Sequence, residues 1–250
     1  MPFSGPCARL FLVRHGETDD NHSGVYQGQS GRGINARGRV QAEKLALRLA
    51  ELEPGVDLHA LYSSDLERAV DTASVLSQVL GLEVRVDEGL REVYVGAWQG
   101  KTAREVEALY PEEHAAWRAG LDVARGGGET YAELAARMSE ALDRAMLAAS
   151  LAAQAAAGPS ARCHVMVVSH GAAIKAYVAG VLGPRESIAE TMRRLGPLAN
   201  TAVTVLEREP GGATRLVSWN DVAHLRDAVL TTAKTAAAPP PARSSRRQLP

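Results

Sequence analysis

Arg9-Leu10-Phe11-Leu12-Val13 runs straight into Arg14-His15-Gly16, and the reading of this junction decides the fold. A run so short, continuous and apolar predicts a strand buried on both faces, with a loop at its C-terminal end. The pattern returns at Val165-Met166-Val167-Val168, which leads into Ser169-His170-Gly171. Each histidine therefore stands just after a buried strand and just before a glycine. A lone histidine in such a place is usually structural. Two of them, on neighbouring strands, bring two imidazoles to one end of one sheet, and the glycines let backbone come close to a ligand.

Outward from these junctions the chain alternates. Ala36–Leu52 carries Val40, Leu45, Leu49 and Leu52 at helical spacing, with Pro54 just beyond its end. Leu61–Ser64 reads as a short strand and Asp65–Leu80 as a helix with Leu66, Ala69, Ala73, Leu76 and Leu80 on one side. Val84–Val86 is a further strand. Thr102–Tyr110, stopping before Pro111, and Glu129–Leu151 are helical, and alanine-rich 148–161 reads as a fraying helix end and a surface loop. Ala172–Val181 is a helix, and Thr201–Leu206 with Thr214–Trp219 form a late strand pair around Gly211-Gly212. Strands alternating with helices predict an α/β protein, a three-layer α/β/α sandwich on a mostly parallel central sheet. Its functional groups are expected beyond the strand C-terminal ends.

The 250 residues fit one domain, expected over 1–233, and 46% hydrophobic composition can fill a core. Net charge is −1. Lys234, Arg243, Arg246 and Arg247 are the charged side chains of residues 234–250, so the remainder is net acidic and carries no broad basic face for nucleic acid. That Pro/Arg-rich stretch, with Pro239-Pro240-Pro241, is expected to be a disordered tail. Cys7 and Cys163 cannot build a disulfide scaffold or a C-x-x-C metal cluster, and each reads as a small hydrophobe entering a strand. No apolar stretch approaches the ~20 residues of a membrane span, and Met1–Arg9 lacks the apolar core of a signal peptide. The expected setting is cytoplasmic, with no membrane partner.

Arg14 beside His15, and Arg68 after Ser63-Ser64, put guanidinium groups near the imidazoles. That mixture, at a sheet end rich in backbone N–H groups, suits a tetrahedral oxyanion such as phosphate. A metal site is the competing reading. It would want carboxylates at ligand spacing, whereas Glu17 stands two positions from His15 with a cation adjacent. We therefore expect neither a metal nor a cofactor.

Leu12-Val13-Arg14-His15-Gly16-Glu17-Thr18, with Asn21 following, resembles the signature of the histidine phosphatase superfamily, the phosphoglycerate mutase-like proteins. Ser63–Ala69 with Thr72-Ala73, Leu90-Arg91-Glu92 with Gly96–Gly100, Gly127–Thr130 and Ser169–Gly171 match further blocks in the family's order. Asn200-Thr201 and Asn220 through His224-Leu225 are weaker echoes. An R-H-G tripeptide alone is weak; five ordered blocks between Leu10 and Leu225 are specific.

The resemblance implies roles. His15 takes the phosphoryl group on an imidazole nitrogen. Arg14, Arg68 and His170 hold the phosphoryl oxygens, and Asn21 adds a side-chain donor. Gln27 and Gly28 lie in the stretch that closes over the phosphate. Glu92 protonates the leaving alkoxide, a task for a neutral carboxyl held in a buried or negatively charged setting, and later serves as the base for water.

Bland readings stand beside these. Arg68 could lie on a solvated helix face, Glu92 could be a surface acid, Glu17 could bridge Arg14, and Trp98 reads as a core anchor. His22, His59, His114, His164 and His224 read as surface or packing residues. Val25 stands where many relatives have an arginine, and Ser30–Asn35 replaces a common Asp-x-Pro-Leu turn.

Mutases resemble this chain in the core, but keep a tyrosine where Val95 stands and an arginine where Ala119 follows Trp117-Arg118. Cations beyond the phosphate pocket look thinned out. The reading is a metal-independent phosphomonoesterase acting on a small phosphorylated metabolite through phosphohistidine. A cofactor-dependent phosphoglycerate mutase and a non-catalytic binding relative are the alternatives, and a homo-oligomer is left open. Val93–Thr130 and Ser23–Asn35 are expected to shape substrate choice.

Overall fold

In the computed structural model, which describes residues 8–52, 58–183, 187–209 and 213–226, the chain opens with β1 (Ala8–Arg14), α1 (Asp19–Ser23), β2 (Val25–Tyr26) and α2 (Ala36–Leu52). β3 (Ala60–Ser63), α3 (Glu67–Leu80), β4 (Val84–Val86) and β5 (Lys101–Thr102) follow. Next come α4 (Ala103–Leu109), α5 (Pro111–Arg118), α6 (Tyr131–Ala157), β6 (Cys163–Ser169), α7 (Gly171–Leu182) and α8 (Ile188–Arg194). The hairpin of β7 (Val203–Arg208) and β8 (Thr214–Asp221) closes the order. Cys7, Pro54, the Gly211-Gly212 turn, the 234–250 tail and the end of the 1–233 domain lie outside the described residues.

Six strands form one sheet in the order β4-β3-β6-β1-β7-β8. β1, β3, β4 and β6 are mutually parallel, and the β7–β8 pair runs antiparallel at one edge. The two apolar runs lie side by side at the centre, with Leu12 opposite Val167 and Arg14 opposite Ser169. Their lack of alternation has the expected cause, since both faces are covered. Leu10, Leu12, Val165 and Val167 pack under α6 and α7, while Phe11, Val13, Met166 and Val168 pack under α2 and α3. The architecture is the three-layer α/β/α sandwich. Cys163 opens β6 as a buried residue.

Several elements depart from the sequence reading. The helix read over Thr102–Tyr110 does stop before Pro111, as α4, but the chain re-enters a helix at once: Pro111 occupies the first turn of α5, where its missing N–H costs nothing. The alanine-rich stretch continues α6 to Ala157, because Ala is the best helix former and Ala149 and Ala153 are buried against the core. Val40 is half exposed; Ala42, Leu45 and Ala46 make the buried side of α2 instead. α1, α8 and the small β2–β5 ribbon were not legible either. That ribbon pairs Val25 with Thr102 and so ties the 23–35 and 93–130 regions together over the C-terminal ends of β1 and β6. Among the described residues no helix is long and apolar enough to cross a membrane.

Candidate active site

Because β1 and β6 are in register, His15 and His170 emerge at the same level, their ring centroids 5.2 Å apart. His15 is buried, its backbone N–H donating to Ser169 O (3.0 Å), and Gly16 N donates to Thr72 Oγ1 (2.9 Å). Gly16 cannot be replaced cheaply: a Cβ there would stand 2.6 Å from Gly38 O. The side-chain partners assign both rings. His15 Nδ1 lies 2.7 Å from Gly16 O, which only accepts, so the proton is on Nδ1 and Nε2 keeps a free lone pair. Arg68 Nε donates to His170 Nδ1 (3.2 Å), so the His170 proton is on Nε2, which is buried and has no partner among the described residues. One bare nitrogen and one bare N–H thus meet at the sheet end.

Burial, followed by the charges of Arg14 and Arg68, drives the His15 imidazole well below its usual range, against the pull of the Gly16 carbonyl. Burial, followed by Arg68, His15 and Arg14, does the same to His170. Both rings are neutral near pH 7. Protonation would remove the His15 lone pair only below the ordinary value of 6.5. The acid limb of kcat/KM set by this group is therefore expected well under pH 6.5, and a pH profile that loses activity at 6.5 through His15 would contradict the burial argument.

Arg68 belongs to the site and not to a solvated face. It is 2% exposed, and besides His170 it donates through Nη1 to Ser30 O (2.7 Å) and through Nη2 to Gly28 O (2.6 Å). Arg14 donates to Leu198 O (2.5 Å), and its Nε has no partner among the described residues. Asn21, which lines the cavity, spends its Oδ1 on Thr18 N and Asn200 Nδ2, so neither of these contacts uses its amide nitrogen. Gln27 spends its amide nitrogen on Thr18 Oγ1 (2.9 Å), and Gly28 contributes the carbonyl that holds Arg68. Glu17 does not bridge Arg14; it accepts from Asn35 Nδ2 and pairs with Arg37, fixing the loop before α2.

Glu92 faces the same cavity, half-buried, in a setting other than the buried or negatively charged one that a proton donor calls for. Its Oε1 accepts from Val93 N and Ala173 N, and its Oε2 from Ala172 N (3.1 Å), at the start of α7. The neighbouring charges are the cations Arg14, Arg68 and Lys175. The Gly127–Thr130 block braces the backbone around Glu92. Glu129 accepts from Tyr94 N and pairs with Arg137, which in turn donates to the carbonyls of Gly89, Arg91 and Glu92. Trp98 is fully buried among Tyr26, His114 and Trp117, and His224 packs on Thr201.

A cavity of about 230 Å³ joins these groups, lined by Arg14, His15, Asn21, Gln27, Gly28, Arg68 and Glu92 together with Val25, Tyr26, Val95 and Arg125. The expected thinning of cations holds at Val95, which is cavity wall, whereas Ala119 lies off the cavity with its carbonyl accepting from Arg193. The thinning fails at Arg125, a buried cation that the sequence reading passed over. Among the described residues no three His, Cys, Asp or Glu side chains are grouped to hold a metal ion. A neutral nucleophilic nitrogen ringed by guanidinium groups is built to receive an electrophile carrying negative oxygens.

Residues 10–222 match the model of the histidine phosphatase superfamily (branch 1). The chain is 35% identical to the glucosyl-3-phosphoglycerate phosphatase of Mycobacterium tuberculosis over 215 residues, covering 84% of this chain and 91% of that protein. It is 33% identical to a metal-independent phosphoserine phosphatase of Arabidopsis thaliana over 224 residues, covering 86% of this chain and 82% of the other. The solved mycobacterial glucosyl-3-phosphoglycerate phosphatase in complex with VO3 superposes with a TM-score of 0.72 at 35% identity, covering 85% of this chain and 98% of that one.

Proposed function

The chain belongs to the histidine phosphatase superfamily and is a phosphomonoesterase, and we propose that it cleaves a small phosphate ester in two steps through a phosphohistidine on His15. The observation that carries this reading is the pairing of a bare His15 Nε2 with a bare His170 Nε2–H, 5.2 Å apart between ring centroids.

In the first step the His15 Nε2 lone pair attacks phosphorus and the ester P–O bond breaks. Arg14, Arg68, the His170 N–H and the Asn21 amide bear the charge on the phosphoryl oxygens, where positioned donors count most. The leaving alkoxide takes a proton from Glu92. Oε2 is the oxygen for this task, since it has one backbone partner where Oε1 has two. The substrate phosphate supplies the negative charge that the resting surroundings of Glu92 lack. In the second step Glu92, now a carboxylate, takes a proton from water, the water oxygen attacks phosphorus, and the P–N bond breaks to release phosphate. Two easier displacements replace one hard one.

The first test is release of p-nitrophenol from p-nitrophenyl phosphate with excess chelator. Turnover is expected at the same rate with and without it, because charge neutralisation falls to the arginines. Activity that vanishes with chelator and returns with a divalent ion would overturn the metal-free mechanism.

A further inference from the structure

Arg125 is 4% exposed, yet its Nε and Nη2 find no partner among the described residues. A buried guanidinium stripped of water needs replacement contacts, and leaving its N–H groups bare is costly. The side chain is also held in place. Its guanidinium lies 4.3 Å from the Tyr131 ring centroid and 6.0 Å from that of Trp117. The glycines that follow are locked against the acid-bearing loop: a Cβ on Gly126 would stand 2.5 Å from Val95 O, and one on Gly128 1.9 Å from Tyr94 O. Glu113, the nearby acid, accepts from Gly126 N and is turned to the backbone.

Arg125 lines the same cavity as His15, Arg14 and Arg68. Resting on the phosphatase reading above, we infer that Arg125 grips a carboxylate of the substrate, so that the preferred ester carries a carboxyl group on the carbon skeleton beside its phosphate. The two unpartnered nitrogens decide the ligand chemistry. Nε–H and Nη2–H lie on one edge of the guanidinium and point in parallel, which matches the two oxygens of a carboxylate. The phosphoryl group already has its own donors at Arg14, His170 and Asn21. A cavity of about 230 Å³ leaves room for a short carbon skeleton between the two anions.

The experiment measures kcat/KM on three esters, 3-phosphoglycerate, glycerol 3-phosphate and p-nitrophenyl phosphate, for the wild type, Arg125→Gln and Arg125→Lys. The wild type is expected to favour 3-phosphoglycerate over glycerol 3-phosphate by about 10²–10⁴-fold, the size of two charge-assisted hydrogen bonds. Arg125→Gln should collapse that ratio toward one, mainly through KM, and Arg125→Lys should restore part of it. A wild type indifferent to the carboxylate overturns the inference whatever the variants do. So does a variant that lowers both aliphatic esters by the same factor, which is a structural role. Phosphate release from none of the three esters would overturn the phosphatase reading itself, whereas release without carboxylate preference overturns the role of Arg125 alone.

Discussion

Replacing His15 with alanine is expected to remove turnover by roughly 10³–10⁶-fold, the range seen when a covalent nucleophile is deleted. The same change should erase the phosphoenzyme that rapid quenching traps from the wild type, a phosphoramidate labile in acid and stable in base. The size of the effect follows from how little else in the site can attack phosphorus. His170 offers Nε2 as an N–H because Arg68 Nε occupies its Nδ1. The neighbouring groups Arg14 and Arg68 are cations, and Glu92 is engaged with three backbone N–H groups. Folding should survive, since the lost contact is a single hydrogen bond from Nδ1 to the adjacent Gly16 carbonyl. A label that persists in His15→Ala at wild-type level would move the nucleophile to another residue.

What could be read from residues alone divides along a physical line. β1 and β6 announced themselves because strands covered on both faces must be apolar at every position, and Leu10–Val13 and Val165–Val168 are. The meeting of His15 and His170 followed from that, since neighbouring parallel strands end together. Arg68 was visible only through its flanking block; its helix periodicity allows a solvated position as readily as the buried one it takes. The setting of Glu92 was not legible, because two of its three donors come from the first turn of α7, 80 and 81 positions along the chain. Arg125 was hidden for the same kind of reason. Next to Gly126-Gly127-Gly128 it looks like a loop arginine, and its burial depends on Trp117, Tyr131 and the 94–98 loop folding around it. Pro111 marked the end of α4 correctly, but α5 went unread, because a proline serves alike as the stop of one helix and in the first turn of the next.

Arg68→Lys keeps the charge and is nevertheless expected to lower kcat/KM by about 10²–10⁴-fold. The guanidinium holds three partners in three directions: His170 Nδ1 through Nε, Ser30 O through Nη1 and Gly28 O through Nη2. An ammonium is a compact point charge on a flexible stem and can satisfy one of these at the correct distance. Two charge-assisted bonds lost at about 1.5–3 kcal/mol each give about 3–6 kcal/mol, which sets the range quoted. The losses differ in kind. Releasing Gly28 and Ser30 loosens the loop that carries Gln27 beside the phosphate site, and this should raise KM. Losing the Nε donor frees His170 to move its proton to Nδ1, turning the N–H that faces the phosphoryl group into a lone pair, and this should lower kcat. Both parameters are therefore expected to worsen together in Arg68→Lys, with slower phosphoenzyme formation in a single-turnover experiment. A second variant isolates the ring: His170→Gln can still present an N–H to the phosphoryl oxygens without depending on Arg68 for its tautomer, so adding Arg68→Lys to it should cost less in kcat than Arg68→Lys costs alone. Equal costs in the two backgrounds would show that Arg68 does not act through His170, and a near wild-type kcat/KM for Arg68→Lys would remove it from the phosphate site altogether.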